Sequence, residues 1–508
     1  MSDFKGYDFF IKELKSKVDN FDFKAERKEF GRVISVGDGI AQVDGLTNIG
    51  LGEAVSFLND GVGIVMGLEP SFVHVILLNK QNEVFEGVEV FRCNHFIQIP
   101  VSDSLLGRVV NPLGEPIDGM GPIDAVEHKN IDNPSPTITQ RRSVSEPFQT
   151  GIKVIDSLIP IGLGQRQLIL GDRQSGKTAI LVDSILNQKS VKELGRKFAY
   201  CVYVAIGQKA SDVAKLYRLL KESGAMEYSV IVAATSSDSA AMQYIAPMAG
   251  ATIGEYFRDT KRDSVVMLDD LSKHSDVYRE ISLLMRRSPG RGAYPGDIFY
   301  LHSKLLERAA CLNLENGGGS MTMLPVIQTQ AGDISEHIPT TVISITDGQI
   351  SLDKKLFFEG QKPAVNIGFS VSRIGSAAQY KGMKKVSGRL KGELAQYKEY
   401  KNFAKSVSDL DQETKNILDR GNILMNSFKQ PMNSPMSFEK MIFTLFVHTH
   451  GLLSSINLKE VKKAEAELIN YVQENEPDIF EHIIENLSFN EEIEEKMKKA
   501  VKFFLSRY

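Results

Sequence analysis

The chain has 508 residues, 42% hydrophobic and 24% charged, an ordinary globular balance with room, at ~150 residues per domain, for roughly three domains. Sixty Lys and Arg face 64 Asp and Glu for a net charge of −4, which argues against a sequence-blind grip on nucleic acid. No apolar run reaches the ~18 residues of a membrane span, Met1–Lys5 lack the pattern of a secretory leader, and Cys93, Cys201 and Cys311 lie too far apart for a metal or disulfide framework; a soluble cytoplasmic protein is expected.

Residues 1–28 begin with a predicted helix, because Tyr7, Phe10, Ile11, Leu14 and Val18 recur on one helical face. Lys and Asp fill the opposite face, so the stripe needs a surface to pack on, either its own domain or a partner helix. Over 29–98 the pattern changes to short β-branched runs broken by glycine turns. Arg32–Val36, Ile40–Val43, Val62–Met66 and Val73–Leu78 are examples, and their regular spacing predicts a small closed barrel or sandwich. From 99 to 380 strands alternate with helical segments, which predicts a parallel sheet covered by helices. From 381 to 508 the strand signal disappears. Ile493, Met497, Ala500, Val501 and Phe504 mark the last of a run of helices.

The sharpest motif is Gly171-Asp172-Arg173-Gln174-Ser175-Gly176-Lys177-Thr178, a full G-x-x-x-x-G-K-T. Its backbone N–H groups surround phosphates, Lys177 reaches the outer phosphoryl oxygens and the Thr178 hydroxyl ligates Mg²⁺. Gln167-Leu168-Ile169-Leu170 reads as a buried strand entering this loop. Ala179, Leu181, Val182, Ile185 and Leu186 read as the helix leaving it, with its N-terminal dipole toward the anion. Further on, Ser264–Asp270 is an apolar strand ending in acid, the Walker B pattern, with Asp269 placed to hold Mg²⁺ through water. Hydrolysis needs a group to polarise the attacking water, normally a carboxylate in this class. The strand Cys201–Ile206 instead ends in Gly207-Gln208-Lys209. An amide has no useful basicity, so the pocket reads as built to bind rather than cleave.

Further blocks complete the pattern: Tyr203–Lys209, Pro295–Ser303, Gln330–Asp333, Val342–Gln349 and Ser370–Gln379. With the P-loop they resemble the alpha subunit of F-type ATP synthases over nearly the whole chain. The resemblance implies an α/β multidomain fold: an N-terminal β-barrel crown, a central RecA-like P-loop nucleotide-binding domain with a mainly parallel sheet, and a C-terminal α-helical domain. It implies a ring of alternating alpha and catalytic beta chains around a gamma-type shaft, with a delta-type stator subunit docked on the N-terminal helix. The complex would interconvert ADP plus phosphate with ATP in step with proton movement, peripheral to the cytoplasmic face of the cell membrane. The alpha site would hold Mg-ATP without turning it over. Its nucleotide contacts would be Gly171, Asp172, Arg173, Gln174, Ser175, Gly176, Lys177, Thr178, Ala179, Gln208, Phe357, Lys362, Pro363 and Gln430, with Thr178 and, through water, Asp269 for Mg²⁺. Arg373 would reach in trans into the beta site as an arginine finger, with Ser344 at the same interface.

This chain departs from the family at the periphery. Gly292 and Gln328 stand where Glu is usual, Ala210 and Lys362 where Arg is, and Met432 where Gln is; inside the P-loop itself, Ser175 stands where Thr is more usual. These changes fit an alternative in which the same subunit serves an F-type-like motor not coupled to ion transport. Two other RecA-like machines are disfavoured. A self-sufficient hexameric ATPase needs a carboxylate at position 208, and an RNA translocase needs a basic channel.

Overall fold

The structure, a computed structural model, describes residues 29–404, 411–453, 456–457 and 460–508; the helix expected within 1–28 lies outside them. The chain divides into two compact units, one ending at His95 and one spanning Phe96–Tyr508.

In the first unit, strands β1 (Phe30–Gly37), β2 (Ile40–Asp44), β3 (Glu53–Phe57), β4 (Val62–Leu68), β5 (Val73–Leu77) and β6 (Glu89–Phe96) close into a barrel in the order β1-β2-β5-β4-β3-β6. Of the two expected forms it is the barrel, because β1 pairs with β6 as well as β2 and leaves no free edge. Alternation along the strands turns Val33, Val43, Val55, Val65, Val75 and Val90 into the buried interior.

The second unit is built on a nine-stranded sheet. Its strand order is Val371–Ser372, Gly348–Leu352, Leu168–Asp172, Ser320–Thr329, Asp263–Asp269, Tyr200–Gln208, Ser229–Thr235 and Val109–Val110, with Ala310–Cys311 paired off this path. All pairings inside the sheet are parallel; only Val371–Ser372 and Ala310–Cys311 run antiparallel. The central strands are near-continuous apolar runs because helices bury both faces; Val202, Val204, Val230, Val232 and Val266 are fully buried. Strand Ser320–Thr329 lies between the P-loop strand and the Asp269 strand, so the two halves of the phosphate site come from non-adjacent strands of one sheet edge.

The helical C-terminal domain centres on Phe438–Thr449. Met441, Ile442, Phe443, Leu445, Phe446 and Val447 are all buried, the all-round apolar pattern of a helix inside a bundle. Its core is continuous with Ile180, Leu181 and Ile185 of the P-loop helix. A buried polar group ties the same two parts together. Glu465 accepts from Lys153 Nζ at 3.1 Å and Ser427 Oγ at 3.1 Å, and lies 3.3 Å from His448 Nε2. Burial pushes this carboxyl up, but His448 and Lys153 prevail and hold it down at about 2.

Candidate functional site

Parallel strands end together at one edge of the sheet, and open α/β sheets bind ligands at that edge. The loop after strand Leu168–Asp172 carries the exposed Arg173 and Gln174 and the buried Ser175, then turns at Gly176 into the helix Lys177–Glu193. Gly176 has φ 99°, a left-handed conformation in which a side chain is strained. The Lys177 ammonium donates to the carbonyls of Gly171 and Asp172, both at 2.7 Å. Burial lowers its pKa, while Asp270, Asp269 and Asp172 oppose that shift. Asp172 accepts from Thr329 Oγ1 and Gly332 N at 2.7 Å each, which fixes the loop to the neighbouring strand. Lys177→Ala is expected to weaken ATP binding on the order of 100-fold, the size of one or two charge-assisted hydrogen bonds; titration of the chain with a fluorescent ATP analogue measures it.

Thr178 and Asp269 meet as the motif spacing predicts: Thr178 Oγ1 donates to Asp269 Oδ2 at 2.7 Å. Tyr203 OH donates to the same oxygen at 2.7 Å. A hydroxyl and a carboxylate side by side are hard oxygen donors, which suits Mg²⁺. Among the described residues no group of three or more His, Cys, Asp or Glu is placed to hold a metal. Gln208 comes to the same place. Its Nε2 donates to Tyr203 OH at 3.1 Å and to the Asp269 carbonyl at 3.0 Å. Asp270 caps the helix Leu271–Leu284, accepting from Lys273 N at 2.8 Å, and burial pushes its carboxyl up to about 6. Gln328 is in register with Gly171 on the adjacent strand, so its amide lies at the phosphate edge.

On the other side of the loop, Ser175, Gly176 and Ala179 share one narrow cavity, of about 40 Å³, with Phe357, Lys362, Pro363 and Gln430. The expected base contacts and the phosphate loop therefore converge. Lys362 Nζ stands 4.5 Å over the Phe357 ring, a cation–π contact, and Met432 is 67% exposed beside them. Two buried polar atoms in this wall have no partner inside the protein, Ser175 Oγ and Asp183 Oδ1. Buried polar groups are normally bonded, so both fit a bound nucleotide as ligand contacts. Asp183, whose carboxyl burial raises to about 6, was not among the sequence candidates. Its signal was an acid next to the apolar run Ile180–Val182 of the helix. Gln430 lines the cavity, but its carboxamide is engaged by backbone: it accepts from Lys153 N at 3.1 Å and donates to the carbonyls of Gly151 at 2.7 Å and Ser434 at 2.9 Å. It shapes the wall more than it reads a base.

Arg373 follows the edge strand Val371–Ser372, and its N donates to Asp347 O at 2.8 Å. The Asp347 carboxylate is engaged by Arg166, with Nε at 3.0 Å and Nη2 at 2.8 Å. The exposed Arg373 guanidinium pairs with no carboxylate among the described residues. Ser344, exposed on the helix His337–Ile345, donates to its own helix at Thr341 O, 2.6 Å away. Gly292 adopts φ 65°, a backbone that suits glycine and disfavours a longer side chain. Ala210 begins the helix Ala210–Glu222.

Residues 151–372 match the ATP synthase alpha/beta family, nucleotide-binding domain, and residues 379–504 match the ATP synthase alpha/beta chain, C terminal domain. Together the matches cover well over half of the sequence, and they contain the phosphate loop, the Asp269 strand, both sides of the base cavity and the helices packed behind it. The chain belongs to the ATP synthase alpha/beta family.

Proposed function

We propose that this chain is the alpha-type, non-catalytic subunit of an F-type ATP synthase or ATPase ring, holding Mg-ATP at its own P-loop and lending Arg373 to the catalytic site of the adjacent beta subunit. The observation that carries this reading is Gln208, held by Tyr203 and Asp269 at the strand tip where a hydrolytic site places its carboxylate. An amide cannot take a proton from water near neutral pH. Gln328 adds a second amide at the same edge, and Asp270 is committed to its helix cap. Mg²⁺, when bound, neutralises phosphate charge, and Thr178 with Asp269 would hold it. Lys177 orients the outer phosphates, and the Phe357 cavity seats the base.

The Arg373 guanidinium, which pairs with no carboxylate among the described residues, supports its role in trans, and we place Ser344 at the same interface. The wider assembly follows from that role: a beta subunit on each side, a gamma-type shaft, and a delta-type stator subunit gripped through the apolar stripe of residues 1–28. The complex would sit peripherally on the cytoplasmic face of the membrane. Gly292 and Gln328 favour a second reading, in which the same subunit works in a motor uncoupled from ion transport.

Pull-down of the tagged chain from its own cells in mild detergent tests both readings. Recovery of a beta chain, shaft, delta-type subunit and membrane ion ring is the expected result for a synthase; the same set without the ring identifies the uncoupled motor. Recovery of the chain as a homohexamer that hydrolyses ATP overturns both.

A further inference from the structure

A second cavity, of about 590 Å³, opens between the segment 429–440 and the helix Val461–Asn475. It is of ligand-site size. Lys153, Lys429, Lys440 and Lys462 line it, and Glu465 is the one acid in its wall among the described residues. The charge of Glu465 is already matched inside the protein by Lys153 at 3.1 Å, with Ser427 and His448 completing its bonds. The ammonium groups of Lys429, Lys440 and Lys462 pair with no carboxylate among the described residues. The crowding is felt locally: burial, then Lys153, depress the pKa of Lys462, Glu465 opposes, and Lys429 adds to the fall.

Cations gathered on a concave wall raise the local positive potential and attract an anion. Ser190 and Ser434 add hydroxyls to the same wall. Lysine meets phosphate as a point charge, whereas recognition of a planar carboxylate favours the arginine fork; no arginine lines the cavity. None of the loop residues Gly171–Thr178 reaches it, and it shares only Gln430 with the base cavity. We propose that this cavity is a second anion site, which takes a polyphosphate group through Lys429, Lys440 and Lys462. The group is supplied either as an inorganic polyphosphate or as the phosphate tail of a nucleotide. The site stands independently of the alpha-subunit role.

The test is calorimetric titration of the full chain, carrying Lys177→Ala to silence the P-loop, with inorganic tripolyphosphate and separately with ATP. Tripolyphosphate is expected to bind at one site per chain. Adding Lys440→Glu and Lys462→Glu is expected to weaken it on the order of 100-fold, about tenfold for each charge-assisted contact removed. Binding of both probes with equal loss in the charge-reversed chain assigns the site to the phosphate tail of nucleotides. Binding of tripolyphosphate alone assigns it to inorganic polyphosphate. Lys462 is exposed and Lys440 half-buried, and unchanged ATP affinity of the P-loop in the Lys440→Glu, Lys462→Glu chain with Lys177 intact reports that it is folded. Absence of tripolyphosphate binding in the Lys177→Ala chain, or binding unaltered by the two charge reversals, overturns the proposal.

Discussion

Arg373→Ala in the assembled complex is expected to lower ATP turnover by roughly 10³-fold or more, the contribution of an arginine finger to phosphoryl transfer. Affinity of this chain for ATP is expected to stay within about twofold, since neither the phosphate loop nor the base cavity includes Arg373. The physical basis is the arrangement at the sheet edge. The Asp347 carboxylate, whose own backbone carbonyl accepts from Arg373 N, is bound by the Arg166 guanidinium through two bonds, and among the described residues the exposed Arg373 guanidinium pairs with no carboxylate. Arg373→Lys is expected to recover little of the loss, because an ammonium keeps the charge but lacks the planar fork. Steady-state hydrolysis by the reconstituted complex, beside ATP-analogue titration of the isolated chain, separates the two effects. Turnover near wild type in Arg373→Ala removes the finger assignment and leaves nucleotide binding untouched.

The largest stability effect is expected at a site with no part in nucleotide chemistry. Arg308→Met should destabilise the fold by ~3–5 kcal/mol, the usual penalty for stranding one member of a buried ion pair. Arg308 and Glu255 are 2% and 3% exposed. Two nitrogens of Arg308 meet the two Glu255 oxygens at 2.8 and 2.7 Å, and the remaining donors reach Ile131 O and Thr252 Oγ1 at 2.8 Å each. Burial works to protonate Glu255, but Arg308 prevails and its carboxyl stays below the ordinary range. Removing Arg308 leaves that carboxylate with Arg258, 3.8 Å away, and Asn133. The double substitution Arg308→Met, Glu255→Met should recover much of the loss, since apolar replacement of both partners removes the stranded charge. Urea midpoints of the three chains measure this; equal loss in single and double variants would mean that packing, not charge, governs the site.

Much of the site was readable because its parts are contiguous. A phosphate cradle is made by successive backbone N–H groups and the first helical turn, so Gly171–Thr178 specifies it locally. The strand ending in Asp269 was legible from its apolar run, and Gln208 from its place at a strand end. Asp183 was missed because an acid in a helix is ordinarily solvent-facing; only the segment containing Asn433 and Ser434, which binds it, turns it into a cavity wall. Gln430 lines the cavity, but the engagement of its amide by Gly151 and Lys153 depends on chain segments far from it in sequence.

By itself the sequence determined what depends on near neighbours: the alternation that makes strands over 29–98, the helical spacing after 381, the phosphate loop, and the amide at position 208. The tertiary structure decided what depends on distant segments meeting. It closed the barrel by pairing β1 with β6, inserted Ser320–Thr329 between the two halves of the phosphate site, and buried Arg308 against Glu255. It also gathered Lys153, Lys429, Lys440 and Lys462 around one cavity. Local periodicity reports which face of an element is apolar, but not which element will cover it. That choice rests on packing and charge compensation between residues that only the folded chain brings together.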